Sequence, residues 1–334
     1  MPFETALTKA LDLRVPVVAG PLGRGTNAEF LAAMANSGGF GFAALMHMPE
    51  ENVSEELAKM NRVAKGRFGA NLTLVVDQRK RLAAALEAGV RVFSMWQGDL
   101  APYIRIIKDA GGLVFWTVGN AEDAARAKDM GVDFLVSQGR ESGGHLVGVA
   151  PTMSLLPSIV DAANGVPVVA AGGIADGRGL AAALALGACG VWMGTRFVAS
   201  TESANHRGYK ARVVAARASD LVETKLYDSG WQDSAHQVIR NSTFATWQNA
   251  GSPPTGQRPG EGEAISRFPN GKPLNRYDVA APWDDMEGDW EAGPLYAGAT
   301  VQLVHEVKPV AQIIKDIETE AGAALDRIAV LRTG

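Results

Sequence analysis

The chain has 334 residues, of which 47% are hydrophobic and 20% are charged, and its formal net charge is −4. A chain of this length and composition can bury one large core or two ordinary ones, so we expect a globular protein. The slightly acidic balance and the absence of a long basic run give no electrostatic footprint for nucleic acid or an anionic membrane surface. We therefore predict neither nucleic-acid binding nor membrane binding.

The cysteine content and the start of the chain bear on its location. The single cysteine, Cys189, lies in a small apolar run and cannot form an internal disulfide. Residues 1–12 carry polar and acidic side chains where a secretory signal needs a continuous apolar region, and no segment reaches the length of a membrane span. These features predict a cytoplasmic protein.

Short apolar runs alternate with alanine-rich amphipathic segments over the first part of the chain. Helices are predicted at 27–36, 50–65, 78–87, 100–110, 121–130, 153–163 and 178–186, many with a glycine suited to a C-cap just beyond. Strands are predicted near 15–20, 41–45, 69–74, 90–95, 113–117, 134–138, 168–171 and 190–193. Eight strands alternating with helices indicate an α/β fold, a (β/α)8 TIM barrel. An open doubly wound sheet is the alternative, because alternation alone does not decide whether the sheet closes.

The pattern changes after residue 200. Residues 203–218 fit either the eighth barrel helix or the start of an excursion, and residues 251–298 are dense in glycine, proline, aspartate and tryptophan. Irregular stretches this long in a compact domain usually form a lid or a binding loop over another part of the protein. We predict a barrel over 1–200, a helical or irregular lid or subunit-contact region over 201–308, and a C-terminal helix over 309–334 that packs back on the barrel. A subunit-contact role would make the protein a homodimer.

Three predicted strand ends carry glycine-rich turns. Residues 138–145 are QGRESGGH, residues 171–177 are AGGIADG, and residues 193–197 are MGTRF. Glycine turns let backbone N–H groups approach an anion closely, and a following helix N-terminus adds the positive end of its dipole. Two such turns in succession predict one phosphate held between them. The first turn ends in a histidine, His145, at the same edge of the barrel.

The letters, order and spacing of these three segments resemble the signature set of the nitronate monooxygenases, once called 2-nitropropane dioxygenases, and the similarity extends over most of residues 15–217. The resemblance implies non-covalent FMN in a TIM barrel, with oxidation of an alkyl nitronate by O₂ to a carbonyl compound and nitrite. It also implies that His145 lies beside the flavin as the base or the substrate anchor. Imidazole suits both roles, because its ordinary pKa of about 6.5 lets it accept a proton or stabilise an anion near neutral pH.

The resemblance also implies the flavin contacts. The phosphate is expected on the two glycine turns after the seventh and eighth strands, and Asn71, within the segment FGANLT at 68–73, is expected near the flavin ring. The expected cofactor-binding residues are Gly20, Asn71, Gln138, Gly139, Gly143, Gly144, Gly172, Gly173, Met193, Gly194 and Thr195.

Two departures from the family pattern concern the pocket. After the first strand, where bacterial members often have a glutamine and two glycines, residues 19–23 are AGPLG. After the fifth strand, where some members have a lysine, residues 115–117 are FWT. We expect Trp96 and Trp116 to make the pocket more aromatic and less cationic, which leaves the identity of the substrate open.

Other functions share parts of this pattern. Flavin-dependent enoyl-ACP reductases have the same glycine-glycine-histidine turn and would use NAD(P)H, as would a quinone reductase. A non-catalytic flavin-binding barrel would keep the glycine turns without depending on His145. An IMP-dehydrogenase-like or phosphate-isomerase barrel would also have phosphate turns here, although the dehydrogenase needs a loop cysteine that this chain lacks.

The remaining histidines give weaker signals. His47 follows the second strand and is equally consistent with a structural role or a place at the barrel mouth. His206 lies at the start of a polar helix, and His236 and His305 lie outside the matched segment. Because neither their spacing nor a nearby cysteine fits a metal site, no metal is predicted.

Overall fold

The computed structural model describes residues 3–331, and its centre is a closed barrel of eight parallel strands. In chain order the strands are β1 (Val17–Ala19), β2 (Phe40–Ala44), β3 (Gly69–Thr73), β4 (Val92–Trp96), β5 (Leu113–Val118), β6 (Phe134–Gln138), β7 (Gly144–His145), β8 (Val168–Ala171), β9 (Gly190–Met193), β10 (Leu221–Thr224), β11 (His236–Ile239), β12 (Ala264–Arg267), β13 (Pro273–Asn275) and β14 (Leu295–Tyr296). The helices are α1 (Ala6–Leu11), α2 (Ala28–Asn36), α3 (Val53–Ala64), α4 (Arg79–Glu87), α5 (Ala101–Asp109), α6 (Ala121–Met130), α7 (Thr152–Ala162), α8 (Gly177–Ala185), α9 (Thr195–Val198), α10 (Arg207–Ala215), α11 (Ser242–Asn249) and α12 (Val310–Val330).

The barrel closes where its first strand meets its last. β1 pairs in parallel with β9, with Val17 opposite Val191 and Ala19 opposite Met193, and the order around the barrel is β1-β2-β3-β4-β5-β6-β8-β9. Closure leaves no barrel strand with an unpaired edge. The predicted (β/α)8 barrel is confirmed, and the open-sheet alternative is wrong.

Apolar side chains fill two layers. The larger one lies between the strands and the surrounding helices, and a second fills the amino-terminal part of the barrel interior with Phe42, Phe115 and Phe134. Leu7 and Leu11 of α1 join the second layer, so α1 closes that end of the barrel. The polar groups of the site are thereby left at the opposite, carboxyl-terminal edge.

An excursion over residues 199–309 separates β9 from α12. After it, α12 packs on α8 and α2 and so occupies the place of the eighth barrel helix. Of the two alternatives for residues 203–218, the structure has the excursion, which contains α10. The division of the chain at residues 200 and 308 stays a prediction, and residues 332–334 of the predicted C-terminal part lie outside the described residues.

The excursion contains regular structure of its own. β10, β11 and β14 form an antiparallel sheet, and β11 also pairs with β7, which belongs to the loop after β6. β12 and β13 form a separate hairpin. The excursion is therefore joined by backbone pairing to the carboxyl-terminal edge of the barrel. None of the helices in residues 3–331 is long and apolar enough to cross a membrane.

His236 of β11 is a buried structural histidine. Its Nδ1 lies 3.0 Å from the carbonyl oxygen of Ser234, and its Nε2 accepts a hydrogen bond of 3.4 Å from the backbone N–H of Tyr227. This pattern requires a neutral ring with the proton on Nδ1. Burial lowers the pKa of His236 to about 4, mainly because a charged ring would lose its hydration.

The α8–α12 contact gives a first prediction. A Cβ on Gly177 would lie 2.2 Å from the backbone N of Ala321, whereas a Cβ on Gly322 of α12 would meet no atom within 4 Å. We expect Gly177→Ala to lower the free energy of unfolding by about 1–3 kcal/mol through overpacking. Gly322→Ala should raise it by about 0.5–1 kcal/mol, because alanine has the better helix propensity. Urea denaturation measures both, and equal effects would show that α12 does not pack as described.

The buried histidine gives a second prediction. Between pH 6.5 and about 4 the unfolded chain binds a proton at His236 that the folded chain does not. The free energy of unfolding should therefore fall as the pH falls through this window, by up to about 1.4 kcal/mol per pH unit for each such histidine. We expect His236→Gln to reduce this slope and His305→Gln, an exposed control, to leave it unchanged. Equal slopes in both variants, measured by denaturation from pH 7.5 to 4.5, would contradict the assignment.

Candidate active site

A cavity of about 240 Å³ lies at the carboxyl ends of the barrel strands. Loops at this edge carry the functional groups of (β/α)8 enzymes, because they converge on one opening while the barrel keeps them in place. The excursion supplies the rest of the wall, including Trp231 and Tyr296. The predicted site residues that line the cavity are Gly20, Asn71, Gln138, Gly143, Gly144, His145, Gly172, Gly173, Gly194 and Thr195.

Within residues 3–331, Gly139 and Met193 are the predicted site residues that do not line the cavity. Gly139 is buried against Thr152, whose Oγ1 would lie 2.0 Å from a Cβ on Gly139. The side chain of Met193 is buried in the core, and its carbonyl oxygen accepts a hydrogen bond of 2.9 Å from the N–H of Gly20. Both residues are therefore packed behind the residues that form the cavity wall.

The turn after β8 has the features of an anion cradle. Gly172 and Gly173 have φ values of 96° and 72°, a left-handed conformation that favours glycine. Their backbone N–H groups donate to no group among residues 3–331. The nearby Oγ of Ser142 is buried, and it too finds no partner in this range. Unpaired donors gathered at one concave turn are suited to the oxygens of a phosphate.

The helix after this turn contributes less than the sequence pattern indicates. The carboxylate of Asp176 caps α8 and accepts hydrogen bonds from the N–H groups of Arg178 and Gly179, at 3.0 and 3.1 Å. These amides are already paired, so the turn itself presents the free donors. Gly194, after β9, lines the same cavity, and a Cβ there would meet no atom within 4 Å.

The end of the excursion completes this side of the cavity. The N–H of Gly298 donates to Oγ1 of Thr195 at 3.0 Å, and the N–H of Ala299 donates to the carbonyl oxygen of Glu141 at 3.0 Å. A Cβ on Gly143 would lie 2.5 Å from the carbonyl carbon of Ala297. Gly143 therefore permits the close approach of the excursion to the loop after β6.

Gln138 holds that loop in place. Its Nε2 donates to the carbonyl oxygen of His145 at 3.0 Å, and its Oε1 accepts from the N–H of Val147 at 2.9 Å. Both ends of the side-chain amide are thus used to fix the backbone on either side of Leu146. Gln138 therefore positions the backbone of His145, whether or not its side chain also contacts a ligand.

Asn71 lies on β3 and is held by its neighbours. Its Nδ2 donates to Oγ of Ser94 at 3.0 Å, and its Oδ1 accepts from Oγ1 of Thr73 at 3.4 Å. These bonds fix the orientation of the amide at the cavity wall. A fixed amide can present a hydrogen-bonding group to a planar ligand without loss of side-chain entropy on binding.

His145 has the most unusual environment of the cavity. Its Nε2 is buried and has no hydrogen-bond partner among the described residues. Burial lowers the pKa of His145 well below its ordinary value, and the rings of His236 and His47 lower this pKa further. The shift favours the neutral imidazole, and its buried Nε2 is unused.

Aromatic rings enclose this imidazole. The indole of Trp231, in the loop between β10 and β11, stacks on it with ring centroids 3.8 Å apart and an interplanar angle of 11°. Trp96 meets it edge-on at 6.2 Å. Trp231 is itself held by a hydrogen bond of 3.3 Å from its Nε1 to Oε1 of Gln97. Trp116 was expected in the pocket, but it packs in the core between strands and helices.

Several cavity residues lack a sequence signal. Trp231 and Tyr296 come from the excursion. His236, also from the excursion, does not line the cavity, but its ring lies only 5.0 Å from that of His145. His47 lines the cavity, and burial lowers its pKa to about 4. In the sequence, the only indication that His47 lies at the barrel mouth is its position after the second strand. Across residues 3–331 there is no cluster of three or more side chains suited to a metal ion.

Comparison with known proteins agrees with this geometry. A family model described as nitronate monooxygenase matches residues 74–320. A protein of Mycobacterium tuberculosis (strain ATCC 25618 / H37Rv), named (3aS,4S,5R,7aS)-5-hydroxy-7a-methyl-1-oxo-octahydro-1H-indene-4-carboxyl-CoA dehydrogenase, is 37% identical over 72% of this chain and 67% of its own length. Nitronate monooxygenase npaC of Metarhizium robertsii is 32% identical over 97% of this chain and 96% of its own.

The fold has a solved counterpart of similar extent. The structure of FabK from Thermotoga maritima superposes with a TM-score of 0.85 and 30% identity, covering 98% of this chain and 99% of FabK. The barrel, the excursion and the terminal helix are therefore shared as a whole. Together with the family model, which spans most of the chain, these relatives show that the protein is an enzyme of an oxidoreductase family and belongs to the nitronate monooxygenases.

Proposed function

We propose that this protein binds FMN and oxidises alkyl nitronates with O₂, giving a carbonyl compound and nitrite. The observation that carries the proposal is the buried, unpartnered Nε2 of His145 in a cavity that also contains an anion cradle. Membership of the nitronate monooxygenase family supports the reaction class. The aromatic and apolar wall supports a small organic substrate.

The residues present fit FMN. The free N–H groups of Gly172 and Gly173 and the unpaired Oγ of Ser142 would hold its phosphate, with Gly194 and Thr195 opposite. FMN, when bound, would supply the two-electron redox chemistry, and the protein would supply orientation and electrostatics.

We assign His145 the role of substrate anchor. A neutral, desolvated imidazole is a poor acceptor for a carbon-bound proton, because the product would be a buried cation. A nitronate already carries a negative charge, and its approach favours proton binding by the ring. Nε2 has no competing partner among the described residues and is free to hold a nitronate oxygen. Activity on a nitronate but not on the neutral nitroalkane would support the anchor over the base.

Trp231 controls access to this anchor in our proposal. Its indole covers one face of the imidazole and is tied to Gln97 by a single hydrogen bond. A ligand that needs this face must displace the indole. The loop between β10 and β11 thus limits the size of the substrate and keeps water from His145.

A second candidate is an NAD(P)H-dependent reductase, either an enoyl reductase or a quinone reductase. It is supported by the relative named as a CoA dehydrogenase, which is 37% identical to this chain. Anaerobic absorbance of the flavin separates the two candidates. Bleaching by an alkyl nitronate, followed by nitrite on admission of air, supports the monooxygenase, whereas bleaching only by NADH or NADPH supports the reductase. A protein that binds no flavin at all would overturn both.

Replacement of the anchor gives a third prediction. We expect His145→Ala to lower kcat/KM for a nitronate by about 10²-fold or more while FMN stays bound, because the phosphate cradle does not include this side chain. His206→Asn is the matched control, since His206 stacks on Trp290 outside the cavity. Steady-state oxygen consumption and the flavin absorbance of the purified variants measure both properties. Unchanged turnover in His145→Ala would show that His145 does not anchor the substrate, and absence of turnover in both the parent protein and the variant, with FMN bound, would favour the non-catalytic flavin-binding barrel.

Removal of the covering ring gives a fourth prediction. Trp231→Ala should raise the pKa of His145 toward its ordinary value, because water then reaches the imidazole and stabilises its charged form. Trp247→Ala, which removes an indole packed on Phe244 outside the cavity, should leave this pKa unchanged. A pH titration of the histidine ring resonances by NMR measures the shift. An unaltered His145 titration in Trp231→Ala would show that Trp231 does not desolvate the ring.

A further inference from the structure

A second cavity, the side recess, adjoins the candidate active site. It has a volume of about 310 Å³, and Met46, His47 and Val279 line both cavities. The remaining lining residues of the side recess are Arg24, Ser229, Phe268, Asp278 and Ala280. A ligand whose reacting end lies near His145 can therefore extend past His47 into the side recess.

Arg24 is the cation of this recess, and it lacks an acceptor. It lies in the short turn Gly23–Gly25 after β1 and is half-buried. Its Nε is buried without a partner, and its guanidinium forms no hydrogen bond or salt bridge with any residue from 3 to 331. Its guanidinium lies over the ring of Trp283, with the guanidinium carbon 4.9 Å from the ring centroid. Arg258, by contrast, is bonded to both Asp228 and Glu261.

Without a bound anion, the unpaired guanidinium of Arg24 lowers the stability of the folded protein. Donors of a partly desolvated cation that have no acceptor carry a desolvation penalty without the compensating bond. Burial accordingly lowers the pKa of Arg24, while the carboxylates of Asp285 and Glu56 act in the opposite direction from beyond salt-bridge distance. An acceptor brought by a ligand would remove the penalty, so the site is built to gain from binding an anion.

The acidic residue of the side recess does not supply that acceptor. A carboxylate oxygen of Asp278 accepts a hydrogen bond of 2.7 Å from the N–H of Asn275, and Ser229 also donates to this side chain. Burial raises the pKa of Asp278, which favours its uncharged form. Asp278 is thus engaged with its own loop and forms no salt bridge with Arg24, whose guanidinium is left available to a ligand.

We propose that the side recess binds an anionic group, a carboxylate or a phosphate, carried by the substrate at the end remote from His145. The planar fork of an arginine offers paired donors to either group, and Trp283 keeps the guanidinium plane in position. The position of the reacting end rests on the proposed function. The binding of an anion at Arg24 does not, so the two can fail separately.

Direct binding tests the proposal. Protein saturated with FMN is titrated by calorimetry with inorganic phosphate and, separately, with acetate, so that the flavin phosphate cradle is already filled. We expect Arg24→Gln to weaken binding of the preferred ion at least about tenfold and Arg24→Lys to weaken it less, since lysine keeps the charge but not the fork. The control Arg62→Gln removes an exposed arginine of α3 and should change nothing. The ion that binds more tightly identifies a phosphate-bearing or a carboxylate-bearing substrate.

The outcomes are distinct. Equal affinities of the parent protein and Arg24→Gln for both ions, or an equal loss in Arg62→Gln, would overturn the proposal. If Arg24→Gln does not fold, as judged by circular dichroism, the comparison of Arg24→Lys with Arg62→Lys replaces it. If FMN does not bind, the same titrations on the protein alone still measure the part of anion binding that depends on Arg24.

Turnover gives an independent measure of the same contact. Nitronates of ω-nitro carboxylic acids of increasing length are compared with those of the matching nitroalkanes. We expect the acid to have the higher kcat/KM at one chain length, and Arg24→Gln to remove this preference through KM while kcat for the nitroalkane is kept. A preference that survives in Arg24→Gln would contradict the proposal. Absence of turnover with every nitronate would instead contradict the proposed function and leave the calorimetric result standing.

Discussion

The antiparallel pairing of β7 with β11 is the contact on which the candidate site depends. β7 consists only of Gly144 and His145, and its partners Gln237 and His236 come from the excursion. Paired backbones fix the register, so the imidazole is held at a set place above the barrel edge. The same pairing brings the β10–β11 loop to the cavity, where Trp231 stacks on His145. One short antiparallel ladder thus positions both the imidazole of His145 and the indole of Trp231 that covers it.

Unused hydrogen-bonding groups mark where ligands are expected. Most buried polar groups in proteins are paired, because an unpaired one loses its hydration without compensation. Some of the exceptions in this chain lie at the cavities: Ser142, the amides of Gly172 and Gly173, and His145 at the candidate active site, and Arg24 in the side recess. Others, such as Oε1 of Gln78 and Nε of Arg196, lie outside both cavities. The spacing of those at the cavities fits a cofactor phosphate, a reacting group and a remote anion as three separate binding positions.

The barrel alone does not decide among the redox reactions of its relatives. A relative named as a CoA dehydrogenase is 37% identical to this chain over the matched part, and nitronate monooxygenase npaC is 32% identical. Function lies in the groups placed on the fold. In this chain those groups include Arg24 after β1, where the residues also depart from the family pattern, and Trp231 in the excursion. Arg24 lines the side recess and Trp231 lines the candidate active site, so both act on the cavities and not on the barrel core.

The sequence by itself determined the barrel and one side of the site. Alternating apolar runs and helical segments are local signals, and glycine turns such as that at Gly172 and Gly173 need only their own backbone to indicate an anion cradle. Only the tertiary structure decided that α12 takes the place of the eighth barrel helix, that Met193 and Gly139 stand behind the cavity wall, and that His236, Trp231 and Tyr296 surround His145. These last residues arrive through pairing between segments far apart in the chain, and such pairing depends on long-range packing that no local pattern encodes.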